Sequence, residues 1–520
     1  MNLSSRSAVE LLSLLSRLEV SAVEVVQAHL DAIAERDGRL NAIAVGRFDE
    51  ALAEASATDR RRAGGRACGP LGGLPVTVKE CFDLVGMPTT AGAEHLRRRP
   101  SGRDAAVVAA LRTAGAIVLG KTNLAQLCWG LETSNPVYGR TDNPWDQERT
   151  PGGSSGGEGA AVSAGLSSVG IGTDSGGSVR IPAHYCGIHA LKPTSGRLSS
   201  SGTVDELLLS YQPVVTNQPG VLAREVKDLS LVYEVLASSP KAALVPQSPA
   251  RRAPRGAAHR DPRGEAPPGE RPPVSRPTVG FFAGGIRPPA AAVERLLAEA
   301  VEALEAAGVE VRSFEPPSLE RAKELFDAAF ALDRGASLRS LANGSTLDHS
   351  VEEVLDNLSR SAVPEPLGTA GPLLDACEKY RSDFSQALDA SGADLLLCPP
   401  TGVVAHPHGM SQDLDGMPVN TQLFNLLGLP AGIVSLSVVR LEEEGLLAPR
   451  GCSDEVALAA GRGTCGLPVA VQVAGRHWQE RAVLDMMGLL EEAFRGAAHY
   501  PVHSVTAKAL PIQGRSGPPR

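Results

Sequence analysis

Two segments rich in glycine and serine carry residues whose types and spacing suit acyl transfer. The first covers residues 151–159 (PGGSSGGEG), and the second covers residues 172–182 (GTDSGGSVRIP). Successive glycines let backbone amides come close to a ligand, and amides beside a serine hydroxyl can hold the oxyanion that forms during attack on a carbonyl. The second segment supplies such a row of N–H groups, on Ser175, Gly176, Gly177 and Ser178. Glycines that serve only tight turns explain the first segment nearly as well, but they explain the polar second segment poorly.

A serine nucleophile needs a base, and the sequence offers histidine or lysine. His184 and His189 follow the second segment, but neither has a clear acidic partner, so each is expected to be a buried structural side chain. Lys79 ends the apolar run at residues 74–78. Because burial disfavours the charged ammonium, a lysine at the end of a buried strand can serve as a base. Taken alone this signal is weak, since many such lysines are structural.

Residues 115–122 (GAIVLGKT) match the phosphate-loop pattern G-x-x-x-x-G-K-[ST]. A phosphate site needs a loop after a strand, with its amides wrapped around the ligand. Here the intervening Ala-Ile-Val-Leu favours a strand, and a predicted helix precedes it. A nucleotide-dependent enzyme is therefore the weakest interpretation of this chain.

Composition narrows the function classes. The 520 residues are 42% hydrophobic, enough for a large buried core, and the net charge of −9 disfavours nucleic acid or an anionic membrane as main partner. Eight scattered cysteines without a C-x-x-C pair indicate neither a disulfide framework nor a zinc site, and they favour a reducing, cytoplasmic compartment. Acidic residues near the N-terminus disfavour a signal or transit peptide. The uncharged stretch 416–439 contains polar side chains and Gly-Leu-Pro, which predicts helix, turn and strand instead of a membrane span.

The elements that must position these residues alternate between short β-branched runs and alanine-rich helical runs. Apolar spacing predicts amphipathic helices from the N-terminus to about residue 57. Strands are predicted at residues 76–78 and 116–119, with a helix at 104–113 between them, N-capped by Asp104 and followed by Gly115 as the C′ residue. This rhythm predicts an α/β fold with a mostly parallel sheet covered by helices on both faces.

Residues 240–277 differ from the rest of the chain. They contain ten prolines, and eight basic side chains against three acidic ones give a net charge of +5. With few large apolar side chains, such a segment is predicted to be a disordered surface insertion, and a docking arm for an acidic partner is the alternative. Residues 506–520 are predicted to form a flexible tail.

Taken together, the motifs resemble the amidase signature family, and within it most closely the fatty acid amide hydrolases. The resemblance is carried by residues 73–80 (GLPVTVKE), 120–123 (GKTN), 143–145 (NPW), 152–157 (GGSSGG), 172–178 (GTDSGGS) and 466–469 (GLPV). It implies a single large α/β/α domain over residues 1–505, with a twisted mixed β-sheet covered by helices and interrupted by the insertion.

The resemblance also implies a chemistry, the hydrolysis of an acyl amide to a carboxylic acid and an amine through an acyl-enzyme. In the implied Ser-Ser-Lys triad, Ser178 is the nucleophile, Ser154, in a cis peptide, relays the proton, and Lys79 is the base. The amides of Ser175 to Ser178 would hold the oxyanion, and Ser154 would also contact the substrate. The acyl chain would lie beside three residues: Cys128, Trp129 and Leu131. No metal or organic cofactor is implied.

The implied partner is a small-molecule amide, in lipid amide metabolism, and not a nucleic acid. The familiar fatty acid amide hydrolases carry a membrane helix and an apolar membrane cap. This chain has no predicted transmembrane segment, and residues 350–374 are shorter and charged where the cap would lie. Peripheral membrane contact and a homodimer stay open. The alternatives are a glutaminase-type subunit of a tRNA-dependent amidotransferase, with the same triad, and a non-catalytic binding protein on the same fold.

Overall fold

Eleven described strands form the framework of the chain. The computed structural model describes residues 2–204, 208–209, 212–244, 277–360, 370–411, 413–414, 417–445 and 454–501. In this part the strands are β1 (Ile43–Gly46), β2 (Pro75–Lys79), β3 (Ile117–Thr122), β4 (Val169–Asp174), β5 (His189–Lys192), β6 (Gln218–Ala223), β7 (Thr278–Phe281), β8 (Glu310–Ser313), β9 (Leu395–Cys398), β10 (Ala431–Val438) and β11 (Pro468–Gly475). They form one sheet in the order β1-β3-β2-β4-β6-β5-β10-β11-β9-β7-β8.

Fifteen α-helices accompany these strands in the described residues. They are α1 (Ala8–Ser16), α2 (Ala22–Leu40), α3 (Phe48–Ala63), α4 (Ala106–Thr113), α5 (Gly156–Ser163), α6 (Arg180–Cys186), α7 (Val226–Ser238), α8 (Ala291–Ala306), α9 (Leu319–Ala331), α10 (Ala336–Ala342), α11 (His349–Arg360), α12 (Ala370–Ser391), α13 (Val419–Leu426), α14 (Asp454–Gly461) and α15 (Glu480–Phe494). Short 3-10 turns lie at Leu3–Ser5, Glu94–Leu96, Gln126–Cys128 and Leu441–Glu443.

Helices cover both faces of the sheet, as the side chains of β10 show. Ile433 packs in a buried cluster with Val162 of α5 and Ala183 of α6. The next residue, Val434, points to the opposite face because side chains alternate along a strand. There it belongs to the main core together with Leu484 of α15. The predicted α/β class, with a sheet between helical layers, is therefore confirmed.

The sheet is mixed, and its parallel part is smaller than the strand–helix rhythm predicts. Six of the ten pairings between described strands are antiparallel. The expectation of a mostly parallel sheet is wrong, because β1, β6, β10 and β11 pair with their neighbours in the antiparallel direction, which local sequence pattern does not specify. The parallel arrangement does hold where β2 lies between β3 and β4.

Local predictions near the N-terminus hold with two corrections. The predicted strands correspond to β2 and β3, and Gly115 follows α4 in the left-handed region at φ +94°. Asp104, however, does not cap α4. Its carboxylate instead accepts hydrogen bonds from the amide of Val85 and from Arg112. The helices expected up to about residue 57 are interrupted by β1, which forms only because it pairs with β3.

The first residues of the predicted insertion belong to the described part of the chain. Ala242 accepts a hydrogen bond from the amide of Ser199, and the amide of Leu244 donates to Arg197. Ala242 and Leu244, which fall inside the segment predicted to be disordered from residue 240, therefore hydrogen-bond to the segment that follows β5. The rest of the insertion, from 245 to 276, and the predicted tail at 506–520 lie outside the described residues.

The uncharged stretch at 416–439 folds as predicted. It forms α13, a turn around Gly428, whose φ is +70°, and the buried strand β10. Within the described part of the chain, no helix combines the length and the apolar character that crossing a bilayer requires.

Alanine substitutions at two glycines, Gly157 in α5 and Gly38 in α2, test how closely α5 must approach the sheet. A Cβ at Gly157 would lie 2.4 Å from the carbonyl oxygen of Asn123, whereas nothing lies within 4 Å of the Cβ position of Gly38 in α2. Gly157→Ala is therefore expected to lower the free energy of unfolding by about 1–3 kcal/mol, because backbone must move. The matched Gly38→Ala variant should raise it by about 0.4–1 kcal/mol, since alanine favours a helix. Urea denaturation measures both, and equal effects would contradict the close approach.

Candidate active site

Lys79 is the last residue of β2 and is fully buried. Its Nζ lies 2.7 Å from Ser154 Oγ and 2.8 Å from Thr173 Oγ1. Thr173 belongs to β4, which runs parallel to β2, so both residues reach the same edge of the sheet. The structure therefore brings the predicted base into contact with the predicted relay serine. Thr173 was not predicted, since only the pairing of β2 with β4 places it there.

Ser154 is held by close packing of the first glycine segment. The peptide between Gly153 and Ser154 is cis. A Cβ at Gly153 would lie 2.7 Å from the carbonyl oxygen of Gly130, so the neighbouring chain passes directly against it. The carbonyl of Ser154 accepts a hydrogen bond from the amide of Ala125 at 3.1 Å. The glycines here serve close backbone contact, beyond the tight turns that the sequence suggested.

Ser178 lies at the same edge of the sheet, in the loop between β4 and α6. Its carbonyl accepts a hydrogen bond from the amide of Ser155, the neighbour of Ser154, at 3.1 Å. Its side chain is half-buried, in contrast to the buried Lys79. The second glycine segment is thus fastened to the first, next to the contact between Lys79 and Ser154.

A buried ion pair shapes the loop that carries Ser178. Asp174 and Arg180 are both fully buried, and Arg180 Nη2 lies 2.9 Å from Asp174 Oδ1. The same carboxylate accepts hydrogen bonds from the amides of Gly177, at 2.9 Å, and Val179, at 3.2 Å. Asn425 of α13 also donates to it, at 3.0 Å. One carboxylate therefore ties together both ends of the loop.

The charges around this pair favour the ionised form of Asp174. Burial acts to raise the pKa of Asp174, but Arg180, Lys192 and Asn425 outweigh it and hold that pKa below its usual value. The sequence singled out Asp174 and Arg180 only as polar residues in an apolar run. Their pairing could have been suggested by opposite charges six residues apart around a glycine turn.

One of the four amides predicted to hold an oxyanion has a hydrogen-bond acceptor within the protein. Gly177 N–H is already directed at Asp174, and its φ of +119° fits only glycine comfortably. The hydroxyl of Ser175 donates to Asn217 Oδ1 at 3.1 Å.

An aromatic group lines the loop on the side of α9. A Cβ at Gly176 would lie 3.1 Å from the ring of Phe326. Phe326 contacts Phe330 with ring centroids 4.7 Å apart, and Phe330 contacts Trp129 at 5.2 Å. Trp129 is thus joined to the Ser178 loop through two phenylalanines. The sequence analysis did not predict Phe326 or Phe330. The only local indication is their spacing of four residues, which places both on one face of a helix.

The other two residues predicted beside the acyl chain are Cys128 and Leu131. Both are half-buried and pack against the main core. A Cβ at Gly153 would lie 2.8 Å from the carbonyl carbon of Leu131, which places that residue next to the cis peptide. Cys128 has a positive φ of 60°.

The other candidate bases and the phosphate-loop pattern have structural roles. His184 is buried, which lowers its pKa to about 4, and its Nε2 lies 3.0 Å from the carbonyl oxygen of Val403. His189 is also buried, but it does have an acidic partner, with Nε2 3.3 Å from Glu491, so that expectation was wrong. The pattern at residues 115–122 contains β3 in place of a loop, as predicted.

Comparison with known proteins identifies relatives over most of the chain. The family described as Amidase matches residues 24–484. One relative, a subunit of the glutamyl-tRNA(Gln) amidotransferase of Moorella thermoacetica, is 31% identical over 511 residues, covering 94% of this chain and 96% of its own length. The corresponding protein of Thermobifida fusca, which bears the same name, is 46% identical, but over 228 residues, which are 44% of this chain and 45% of that protein.

Fatty acid amide hydrolases are also among the relatives. Fatty-acid amide hydrolase 1 of Sus scrofa is 31% identical over 454 residues, covering 81% of this chain and 76% of its own. A solved structure of fatty acid amide hydrolase shares the fold, with a TM-score of 0.79 and 24% identity over 95% of this chain and 85% of that one.

The ion pair below the Ser178 loop can be tested by removing one charge. Asp174→Asn leaves Arg180 buried without its counter-charge, so the free energy of unfolding at neutral pH should fall by about 3–5 kcal/mol. Urea denaturation measures the change. As a control, Asp485→Asn breaks the exposed contact with Arg481 and should change it by less than about 1 kcal/mol. Similar losses in the two variants would show that Asp174 has no special role.

Proposed function

This chain belongs to the amidase signature family of amide-hydrolysing enzymes, and we propose that it cleaves carboxylic amides that carry an apolar acyl part. The reaction proceeds through Lys79, Ser154 and Ser178 and an acyl-enzyme on Ser178. The observation that carries the proposal is the 2.7 Å contact between the buried Lys79 amine and Ser154 Oγ. This contact lies beside the loop that presents Ser178.

The proposed steps use these three side chains in order. An uncharged Lys79 accepts a proton from Ser154, which accepts one from Ser178 as the Ser178 oxygen bonds to the amide carbon. Thr173, by accepting an N–H of the amine, turns its lone pair towards Ser154. Collapse of the oxyanion breaks the carbon–nitrogen bond, and the proton returns through Ser154 to the leaving amine. Water then attacks the acyl-enzyme by the same relay and releases the carboxylic acid.

The aromatic group supports an apolar acyl part. A chain of aromatic contacts begins at Gly176, whose amide is proposed to face the oxyanion. It runs from Phe326 through Phe330 to Trp129. A carbonyl held there places one of its substituents near these rings. Apolar surface on the substrate would be removed from water against them, which favours binding by about 25 cal/mol for each Å².

A second candidate function is favoured by the names of several relatives. The Moorella thermoacetica protein, which is part of a glutamyl-tRNA(Gln) amidotransferase, aligns with 94% of this chain. In that case this chain would release ammonia from glutamine for a partner protein. Hydrolysis of glutamine, together with inactivity towards amides of apolar acids, would select this candidate over the first.

The nucleophile can be identified with a fluorophosphonate probe, which labels activated serines. Ser178→Ala should lose labelling completely, because it lacks the oxygen that bonds to phosphorus. Lys79→Ala should slow labelling on the order of 10²- to 10⁴-fold, the usual contribution of a general base. In-gel fluorescence and intact mass measure both effects.

A control serine keeps this test specific. Ser230 lies on α7, where its hydroxyl donates to the carbonyl of Val226 in the same helix. Ser230→Ala should therefore label like the unmodified enzyme. Persistent labelling of Ser178→Ala would remove the nucleophile from the proposal, and full-rate labelling of Lys79→Ala would remove the base.

The acyl preference can be tested at Phe330, which is half-buried between two other rings. Phe330→Ala should lower kcat/KM for an octanoyl or phenylacetyl amide by about 10- to 200-fold, because a pocket contact worth a few methylene groups is lost. Acetamide reaches no further than the carbonyl, so its kcat/KM should change little and serves as the control. An equal loss for all these substrates would contradict an acyl site at the aromatic group.

A further inference from the structure

Glu158 is a fully buried carboxyl next to the Lys79–Ser154 contact, and the proposed proton relay does not use it. It is the third residue of α5, four residues after Ser154. Its Oε2 accepts a hydrogen bond from Thr77 Oγ1 at 2.6 Å, and its Oε1 accepts one from Thr122 Oγ1 at 2.8 Å. Burying a carboxyl without such partners costs free energy. The presence of Glu158 in the core therefore indicates that its side chain has a role there.

The two threonines are neighbours of Lys79 in the sheet, one on the same strand and one on the adjacent strand. Thr77 precedes Lys79 by two residues on β2, so both side chains point to the same face. Thr122 is the register partner of Lys79 on the neighbouring β3. On β4, a Cβ at Gly170 would lie 2.2 Å from Glu158 Oε2, so only glycine leaves room for the carboxyl. Through Thr77 and Thr122, Glu158 therefore links β2 and β3 at the level of Lys79.

The charge of Glu158 is sensitive to pH near neutrality. Burial raises the pKa of Glu158 to about 8, although the hydrogen bonds from Thr77 and Thr122 and the charge of Lys79 lower it in part. The carboxyl thus ionises at mildly alkaline pH. A negative charge formed there attracts a proton on the Lys79 amine.

Other titratable groups on or beside the elements packed against α5 have partners of their own. Beside β2 and on β3, Lys121 pairs with Glu80, and Asp174 at the end of β4 pairs with Arg180 of α6. The other groups on α6 donate to or lie against acceptors outside α5: His184 the carbonyl of Val403, Tyr185 the sulfur of Met417 and Cys186 the carbonyl of Pro151. After β6, Arg224 donates to the carbonyls of Val162 and Ser167. Lys79 is the charged group that acts on the Glu158 carboxyl.

We infer that Glu158 is a positioning residue for the relay: it fixes Lys79 in place through Thr77 and Thr122, and its negative charge holds a proton on the amine. The inference rests on the proposed role of Lys79 as the base. It adds a second titrating group to the site, so the pH at which the enzyme becomes active is set by Glu158 as well as by Lys79.

The test is the pH profile of the variant Glu158→Gln. Glutamine keeps the size of the side chain and can still bond both hydroxyls, but it carries no charge. Without the attracting carboxylate the Lys79 amine loses its proton more easily. The half-maximal point of the alkaline-rising profile should then move to lower pH, by about one unit. The rate of Ser178 labelling by a fluorophosphonate, followed across a neutral-to-alkaline series, measures it.

A neighbouring acid provides the matched control. Glu80 is also fully buried, but its Oε1 lies 3.8 Å from Lys121, which lies next to Thr122 on β3 and points to the other face. Glu80→Gln should lower stability and leave the half-maximal pH of labelling unchanged. If Glu158→Gln gives the profile of the unmodified enzyme, the inference is overturned and Glu158 is only a structural clamp.

A second variant keeps the test decisive if Glu158→Gln does not fold. Thr122→Val removes one hydrogen bond that favours the ionised carboxyl, so the profile should shift in the same direction by a smaller amount. An unmoved profile in this variant also overturns the inference. Full-rate labelling of Lys79→Ala is a different failure, because it removes the proposed base and leaves the contacts of Glu158 untouched.

Discussion

A buried amine between two hydroxyls is the contact on which the site depends. Lys79 has lost its access to water at the end of β2, and an ammonium there would lose its hydration energy. Ser154 and Thr173 supply hydrogen-bonding partners from two directions, at 2.7 and 2.8 Å. These two contacts hold the buried amine next to both hydroxyls. The sheet fixes the contact because β2 and β4 are parallel neighbours with adjacent ends.

Two features hold the loop that carries Ser178. One is the buried ion pair of Asp174 with Arg180, and the other is close backbone packing at Gly153. Asp174, paired with Arg180, accepts a hydrogen bond from the amide of Gly177 and so fixes the backbone of the loop next to Ser178. On the other side, the absence of a side chain at Gly153 lets a neighbouring segment pass directly against the cis peptide. Both contacts restrict the backbone near Lys79, Ser154 and Ser178, which is how a rigid protein orients polar groups in advance.

The aromatic rings near the Ser178 loop belong to a different part of the molecule. The rings that approach Gly176 come from α9 and from the segment around Trp129, outside the glycine and serine motifs. Relatives named as part of an amidotransferase and as a fatty acid amide hydrolase align with this chain at similar identity, 31% in each case. One fold can therefore carry proteins with such different names.

The amino-acid sequence by itself determined the residue types and the local backbone: the glycine segments, the apolar run ending at Lys79 and the helix–turn–strand at 416–439. These follow from short-range rules of conformation and burial. Only the tertiary structure decided that Lys79 meets Ser154 and Thr173, 75 and 94 residues away, that Glu158 lies beside them, and that most strand pairs are antiparallel. The reason is that strand order depends on which distant segments bury each other's surfaces, and no local pattern encodes that choice.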